Sequence, residues 1–175
     1  MKINVGCGVF KAPSDWVNVD VDPLYNPDVL AVAGEPLPFD DHTVERVYLG
    51  HVLEHMEYKR EAPAFLRDVK RILAPNGQVA VVGPDYDRAV AGEFGQDIID
   101  AIQHRQPEGS GDQVGFYHQW TATGANTLSL VKRVWRSNVN VVELAELEAD
   151  GWPLTSLIGW QVGILCMTGR QTSRI

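Results

Sequence analysis

The stretch Lys2-Ile3-Asn4-Val5-Gly6-Cys7-Gly8 decides how the rest of the chain is interpreted. A short β-branched run that ends in Gly-x-Gly is typical of a central buried strand followed by a nucleotide-binding turn. Positions without side chains let a ligand approach the backbone, whose amide groups then donate to it. Because Gly-x-Gly also occurs in ordinary turns, the later segments must decide between the two interpretations.

Length and composition limit the classes of protein to which the chain can belong. It has 175 residues, 45% of them hydrophobic and 22% charged, and this predicts a single domain over residues 1–175. A net charge of −8 argues against a nucleic acid partner, because such partners are bound by basic surfaces. We find no signal peptide and no apolar run of the ~20 residues that a membrane span needs. We therefore expect a cytoplasmic protein whose two cysteines, Cys7 and Cys166, are reduced.

The first half of the chain alternates predicted strands with connecting segments. Only eight residues, 9–16, separate Gly8 from the next strand, and a crossover with a full helix takes at least ten to twelve. The first crossover is therefore predicted to be short. Apolar residues at helical spacing predict a helix over 61–73. Strands are predicted at Val17–Asp20, 28–32, Val44–Gly50 and 78–83. This alternation predicts an α/β fold with a mostly parallel sheet.

The second half departs from this alternation. Segment 86–120 holds one predicted helix at 97–105 and a Gly-rich loop, and we interpret it as a substrate-side insertion or lid. Thr121 or Thr123 can cap the helix that follows. The last two strands are predicted at 139–144 and 160–167, and the short link between them favours an antiparallel pairing.

Five ordered motifs, at residues 4–8, 16–20, 35–39, 49–55 and 71–77, together resemble the class I S-adenosylmethionine-dependent methyltransferases. The resemblance covers about residues 3–85 and, loosely, the last two strands. It implies a Rossmann-like methyltransferase fold with seven strands, the last antiparallel, and S-adenosylmethionine as the cofactor. The chain departs from the family pattern at Asn4, where an acidic residue is frequent, and at Phe10, where a third glycine is frequent.

The resemblance also implies which residues bind the cofactor. The glycine turn would hold the methionine moiety, and an acidic residue at the end of the second strand would accept hydrogen bonds from the ribose. A loop after the third strand would flank the adenine, and the end of the fourth strand would lie beneath the sulfonium. The residues concerned are Gly6, Cys7, Gly8, Asp20, Gly34, Glu35, Gly50 and His51.

Three residues are candidates for catalytic roles. His51 ends a central strand, and because histidine titrates near neutral pH it can accept a proton; the alternative is a wall residue. Asp85 follows the fifth strand and either orients an acceptor hydroxyl or amine or caps the next turn. His118 could face His51 across the cavity. Aromatic residues of the insertion either line this cavity or form a small core, namely Tyr86, Tyr117 and Trp120.

The segment His51-Val-Leu-Glu54-His55 also matches the H-x-x-E-H pattern of inverted zinc proteases. On a helix the two histidines would share a face and could bind zinc. The segment instead follows a predicted strand, and we see no third ligand on a later helix. We therefore expect no metal and predict that His55 is packed and hydrogen-bonded. Cys7 is expected to pack rather than to act as a nucleophile.

We therefore expect methyl transfer to an oxygen or nitrogen of a small-molecule acceptor. One alternative is a catalytically silent methyltransferase-like binding domain. Another is a nicotinamide-dependent oxidoreductase, which needs Gly-x-Gly-x-x-Gly. Lys11 occupies its third glycine position, and Asp20 follows Gly6 by only fourteen residues instead of about twenty beyond the motif.

Overall fold

A mixed sheet forms the centre of the computed structural model, which describes residues 1–32, 35–92, 96, 99, 100, 103, 117–153 and 161–167. The sheet has seven strands in this part of the chain. They are β1 (Lys2–Val5), β2 (Val17–Asp20), β3 (Val29–Leu30), β4 (Val44–Gly50), β5 (Leu73–Pro84), β6 (Val139–Val142) and β7 (Gln161–Met167). Their order is β3-β2-β1-β4-β5-β7-β6. The first five strands pair in parallel, and β7 is antiparallel to both β5 and β6. The predicted fold class is confirmed.

Four α-helices whose bounds lie within the described residues accompany the sheet. They are α1 (Glu61–Ile72), α2 (Tyr86–Ala91), α3 (Gly124–Trp135) and α4 (Leu144–Ala149), with one-turn 3-10 helices at Pro23–Tyr25 and Leu53–His55. The helix predicted over 61–73 ends one residue earlier, and α3 begins with a capping box between Thr123 and Asn126. No helix among the described residues combines the length and the apolar character that crossing a membrane requires.

Each face of the sheet has its own core because successive side chains of a strand point in opposite directions. On one face Val47 and Leu49 of β4 belong to the same buried cluster as Phe65 of α1 and Leu130 of α3. On the other face Tyr48 belongs to a cluster whose further members are Ala12, Trp16, Ala80, Val82, Leu147 and Trp152. The second core is therefore closed by loop residues and α4 instead of a helix between β1 and β2.

Asparagine side chains hold the loop that joins β1 to β2. Asn4 is 1% exposed, and its Nδ2 donates to Asn18 Oδ1 at 3.0 Å and to the Phe10 carbonyl at 3.3 Å. Asn18 Oδ1 also accepts from the Ala12 amide at 2.8 Å. A carboxylate at position 4 could not donate to these oxygens. The departure from the family pattern at Asn4 thus has a structural reason, since this residue fixes the helix-free crossover.

Some predicted boundaries differ from the structure. The strand predicted at 28–32 is confined to Val29–Leu30. Strand β5 starts at Leu73 rather than 78, because the chain stays extended and Leu73 pairs with Val44 beside an irregular register. The strand predicted at 139–144 ends at Val142, and α4 follows it. Most of the helix predicted at 97–105, Gly34 and residues 154–160 lie outside the described residues.

Candidate active site

A cavity of about 920 Å³ lies at the carboxyl ends of the central strands. The strand order reverses between β1 and β4, and open α/β sheets bind ligands at such a reversal. Four residues that the sequence singled out line this cavity together: Gly6, Gly8, Asp20 and His51. The volume is at the upper end of the range for small-molecule sites, so the cavity can take a nucleoside-sized ligand beside a second molecule.

The two glycines of the turn have a backbone conformation that side chains disfavour, and Gly6 is also closely packed. Gly6 and Gly8 have φ angles of +70° and +48°. The Gly6 and Cys7 amides both donate to the Val19 carbonyl, at 2.8 and 3.2 Å, which fastens the turn to β2. A Cβ atom at Gly6 would lie 2.6 Å from Cγ2 of Val52, whereas one at Gly8 would have no heavy atom within 4 Å. Glycine at position 6 therefore meets two requirements: it leaves space for Val52 and it adopts the positive φ angle.

We expect Gly6→Ala to lower the free energy of unfolding more than Gly8→Ala. Both substitutions place a side chain at a positive φ angle, which costs about 1–2 kcal/mol. Gly6→Ala adds the overlap with Val52, at about 1–3 kcal/mol for overpacking. Urea unfolding of the two variants and the wild type measures the difference. Equal losses for the two variants would show that contact with Val52 has no part in the requirement for glycine.

Asp20 connects the glycine turn to the loop after β2. Its side chain is buried at the cavity wall, with the residue 8% exposed. Oδ2 accepts from the Gly8 amide at 2.7 Å, and Oδ1 accepts from the Asp22 amide at 3.0 Å. Each carboxylate oxygen has a further lone pair with which it can accept a hydrogen bond from a ligand. One carboxylate can thus order the turn and hold a bound hydroxyl group.

Most of the rest of the wall comes from residues that the sequence analysis did not name as site residues. Val21, Asp22, Tyr25, Ala31 and Val32 line the cavity beyond β2. Across from the strands, the wall includes Val52, Met56, Arg60, Glu61 and Ala64, which lie between β4 and the first turn of α1. Loop residues and single apolar residues have no spacing that marks them as site residues, so no signal in the sequence could have found them.

His51 follows β4 and is held in an unusual backbone conformation. Its φ angle is +56°, and its amide donates to the Val82 carbonyl at 2.8 Å. Nδ1 lies 3.1 Å from Oε1 of Glu54, whose residue is 2% exposed. When Nδ1 carries the ring proton and donates a hydrogen bond to Glu54, Nε2 is the nitrogen that can accept a further proton. Non-glycine residues in this conformation are found disproportionately at functional sites, where surrounding contacts maintain the strain.

The Glu54 carboxyl is surrounded by imidazole groups. Burial acts to raise the pKa of Glu54, but the hydrogen bond with His51 and the charges of His55 and His118 together hold that pKa below its ordinary value. Burial is the main cause that lowers the pKa of His55, and His118 acts in the same direction against the opposing effect of Glu54. His55 also places Nδ1 3.3 Å from the Tyr117 carbonyl. The prediction of a packed, hydrogen-bonded His55 is therefore confirmed, although this residue also lines the cavity.

Two of the predicted catalytic residues do not line the cavity. His118 packs edge-on against His55, with ring centroids 4.9 Å apart. Asp85 is the N-cap of α2, and its carboxylate accepts from the Arg88 amide at 3.4 Å. Of the aromatic residues in the insertion, Trp120 packs against Tyr58 in the core, as in the small-core alternative. Catalytic roles for His118 and Asp85 remain predictions.

Three of the described residues expected around the cofactor do not line the cavity, namely Cys7, Glu35 and Gly50. Glu35 is exposed, and Gly34 lies outside the described residues. Gly50 lacks a side chain for a packing reason, because a Cβ atom there would lie 2.6 Å from the Tyr48 ring. Cys7 is buried, and burial, with Asp20 nearby, raises its pKa to about 11. Its sulfur therefore remains a thiol at neutral pH, and the expected packing role is supported.

The fold and the cavity together define an α/β protein with a cavity at the reversal of its strand order. A family model described as a methyltransferase domain matches residues 4–81, which hold the glycine turn, Asp20 and His51. The match covers 78 of the 175 residues, so this part of the chain is similar to a methyltransferase domain. Together with the sequence motifs, this similarity supports S-adenosylmethionine as the cofactor. A search of curated protein sequences finds no match.

Solved structures with this fold include several methyltransferases. A methyltransferase from Archaeoglobus fulgidus, dependent on S-adenosylmethionine, superposes with a TM-score of 0.63 at 11% identity, over 95% of this chain and 85% of the other. One from Thermotoga maritima, described as a possible histamine N-methyltransferase, superposes with a TM-score of 0.60 at 14% identity. The superposition covers 95% of this chain and 81% of the other. A third, from Mesorhizobium loti, superposes with a TM-score of 0.55 at 12% identity, over 95% of this chain and 89% of the other. At these identities the likeness concerns the fold.

Proposed function

We propose that the protein transfers a methyl group from S-adenosylmethionine to an oxygen or nitrogen of a small-molecule acceptor. The observation that carries this proposal is the single cavity wall shared by Gly6, Gly8, Asp20 and His51. These residues come from the ends of β1, β2 and β4, which are the positions where the resemblance implies cofactor-binding residues. The wall has the buried carboxylate and the side-chain-free backbone that a nucleoside with a charged tail needs.

The cofactor would be held by three kinds of contact. The backbone of Gly6 and Gly8 would face the methionine moiety, because no side chain separates it from the cavity. Asp20 would accept hydrogen bonds from the ribose hydroxyls. Ala31 and Val32 line the cavity beyond β2 and would contact the adenine, and the flanking roles expected of Gly34 and Glu35 stay predictions. When bound, the cofactor supplies a methyl group already activated on a sulfonium.

The work of the protein chain is then mainly positional. Holding the acceptor atom in line with the methyl carbon, roughly 3 Å away, can supply ~7–11 kcal/mol of the barrier reduction. His51 lies on this wall with Nδ1 bound to Glu54, so Nε2 is the candidate to take the proton that the acceptor loses. His118 and Asp85 would act from outside the described cavity, and we keep them as secondary candidates for orienting the acceptor.

Two observations support a small acceptor. The cavity is about 920 Å³, a volume for a cofactor and a compact second molecule. The net charge of −8 does not favour a polyanionic acceptor such as a nucleic acid. The Thermotoga maritima neighbour, described as a possible histamine N-methyltransferase, is an example of the small amine class on this fold.

Calorimetric titration with S-adenosylmethionine and S-adenosylhomocysteine tests the proposal. We expect one site per chain for each ligand, because both carry the ribose and the amino-acid tail that the wall would hold. Absence of binding by both ligands at millimolar concentration would contradict the enzyme proposal and favour the silent binding domain. Methyl transfer from labelled cofactor to a panel of small hydroxyl and amine compounds then identifies the acceptor class.

A further inference from the structure

Glu54, His55 and His118 form a cluster of metal-ligating side chains at the edge of the cavity. Each contributes one ligand atom, and these atoms all lie within 4.8 Å of one another. Glu54 and His55 belong to the one-turn helix after β4, whereas His118 comes from the end of the long segment after β5. Among the described residues, these three side chains are the ones placed closely enough to hold a metal ion together.

Hydrogen bonds to the backbone of the turn at Leu53–His55 hold the two parts of this cluster together. The Gln119 amide donates to the Glu54 carbonyl at 2.7 Å, and Trp120 Nε1 donates to the Leu53 carbonyl at 3.1 Å. The residue after His118 is thus bonded directly to the residue before His55. The approach of His118 to this turn is therefore set by one backbone bond and by the indole of Trp120, and does not depend on the rotamer of His118 alone.

The chemistry of the three side chains suits one kind of ion. Two imidazole nitrogens and one carboxylate oxygen are the protein ligands of many catalytic zinc sites, which leave a fourth position open. Zinc lies ~2.1 Å from such ligands, so tetrahedral ligand atoms are about 3.4 Å apart. Side-chain rotations that shorten the longest separation in the cluster, up to 4.8 Å, by about 1.4 Å would reach this geometry.

Burial of the carboxylate adds a reason for a cation. Glu54 is 2% exposed, and among the described residues its side chain bonds to His51 and forms no ion pair with lysine or arginine. A buried carboxylate is costly unless a positive group balances it. A divalent cation shared with His55 and His118 would supply that charge.

Hydrogen bonds around the cluster resemble the outer layer of a metal site. Metal-bound histidines usually donate their second ring nitrogen to a carbonyl or carboxylate, and this contact fixes the tautomer. Nδ1 of His55 lies 3.3 Å from the Tyr117 carbonyl, which leaves Nε2 for a metal. His51 would donate to the ligand carboxylate of Glu54 rather than bind the metal. His118 would thus take the place that the H-x-x-E-H pattern assigned to His51.

We propose that Glu54, His55 and His118 bind Zn²⁺ or a similar divalent transition-metal ion, with the fourth position at the cavity edge. This reverses the expectation of no metal that the sequence alone suggested. His55 lines the cavity, so a molecule bound there could complete the coordination. Metal binding stands on the cluster itself, and only its use toward an acceptor rests on the proposed function.

The test uses the full chain, without a histidine tag and freed of metal with a chelator. We expect calorimetric titration to show one equivalent of Zn²⁺ binding with micromolar or lower Kd, and Co²⁺ to give the intense visible absorption of a tetrahedral site. His118→Ala should weaken Zn²⁺ binding at least tenfold, and Glu54→Gln should do the same. His42→Ala is the matched control, because this exposed histidine lies near the Leu73 carbonyl instead of the cluster.

Two results would overturn the proposal: no Zn²⁺ binding by the wild type at millimolar concentration, or His118→Ala and Glu54→Gln both binding within twofold of the wild type. Circular dichroism of each variant confirms that it is folded, and His118→Ala, in a half-buried position, keeps the test valid if Glu54→Gln fails to fold. Cofactor titration of the same metal-free protein separates the two proposals. Cofactor binding without Zn²⁺ binding defeats only the metal site, and the reverse defeats only the proposed function.

Discussion

Asp20→Asn is expected to weaken the binding of S-adenosylmethionine and S-adenosylhomocysteine about 100-fold. The substitution preserves the shape of the side chain but removes its charge, and hydrogen bonds to charged groups contribute about 1.5–3 kcal/mol each. The loss of two such bonds to the ribose, partly offset by the remaining amide oxygen, amounts to roughly 2.7 kcal/mol. Because the buried carboxylate also accepts from the Gly8 amide, the variant loosens the turn that faces the ligand.

Calorimetric titration of the variant with both ligands measures the effect. Asp15→Asn is the matched control, because it makes the same change of charge at an exposed residue that pairs with Lys2. We expect the control to bind within twofold of the wild type. If Asp20→Asn bound both ligands within threefold of the wild type, Asp20 would not be the ribose-binding residue, whatever its role in the turn.

The residues that the sequence located well lie at strand ends. Gly6, Asp20 and His51 follow short β-branched runs, and parallel strands that share a sheet bring their carboxyl ends to one edge. Periodicity therefore places such residues in three dimensions without any contact being known. The start of α3 was predictable for a similar local reason, since Thr123 and Asn126 satisfy free amide groups of the first turn.

Contacts between distant segments could not be predicted in this way. His118 is next to His55 because the residues after it bond to the turn at Leu53–His55, and no local spacing encodes that approach. The role of Asn4 depends in the same way on Asn18, its pairing partner on the adjacent parallel strand β2. The resemblance marked Asn4 as a departure from the family, whereas the hydrogen bonds show what the residue does.

Short elements were missed for a different reason. Helix α4 has six residues, so only Leu144 and Leu147 mark its buried face and no periodic pattern can develop. Pro75 and Gly77 locally favour a turn, yet strand β5 extends through both. The reason is that β5 pairs with β4 before and after the irregular register, at Leu73 and again from Gln78. Tertiary pairing therefore overrides the local preference of these residues.

His51→Asn is expected to lower kcat about 100-fold and to leave the KM for S-adenosylmethionine within threefold. Asparagine tolerates the positive φ angle at this position, so the backbone can keep its conformation while the group that accepts a proton is lost. General base catalysis contributes typically 10²–10⁴-fold. The effect should fall on kcat because the proton is taken as the acceptor reacts, whereas the cofactor is bound before that step.

The measurement is steady-state methyl transfer to the acceptor that the wild-type screen identifies. His42→Asn is a closely matched control, since His42 also has a positive φ angle, +61°, but is exposed and does not line the cavity. A loss of kcat with His51→Asn alone separates proton transfer from the general effect of removing a histidine in this conformation. Turnover by His51→Asn within threefold of the wild type would instead make His51 a wall residue, and the positioning of the acceptor by the cavity would then account for catalysis without a base.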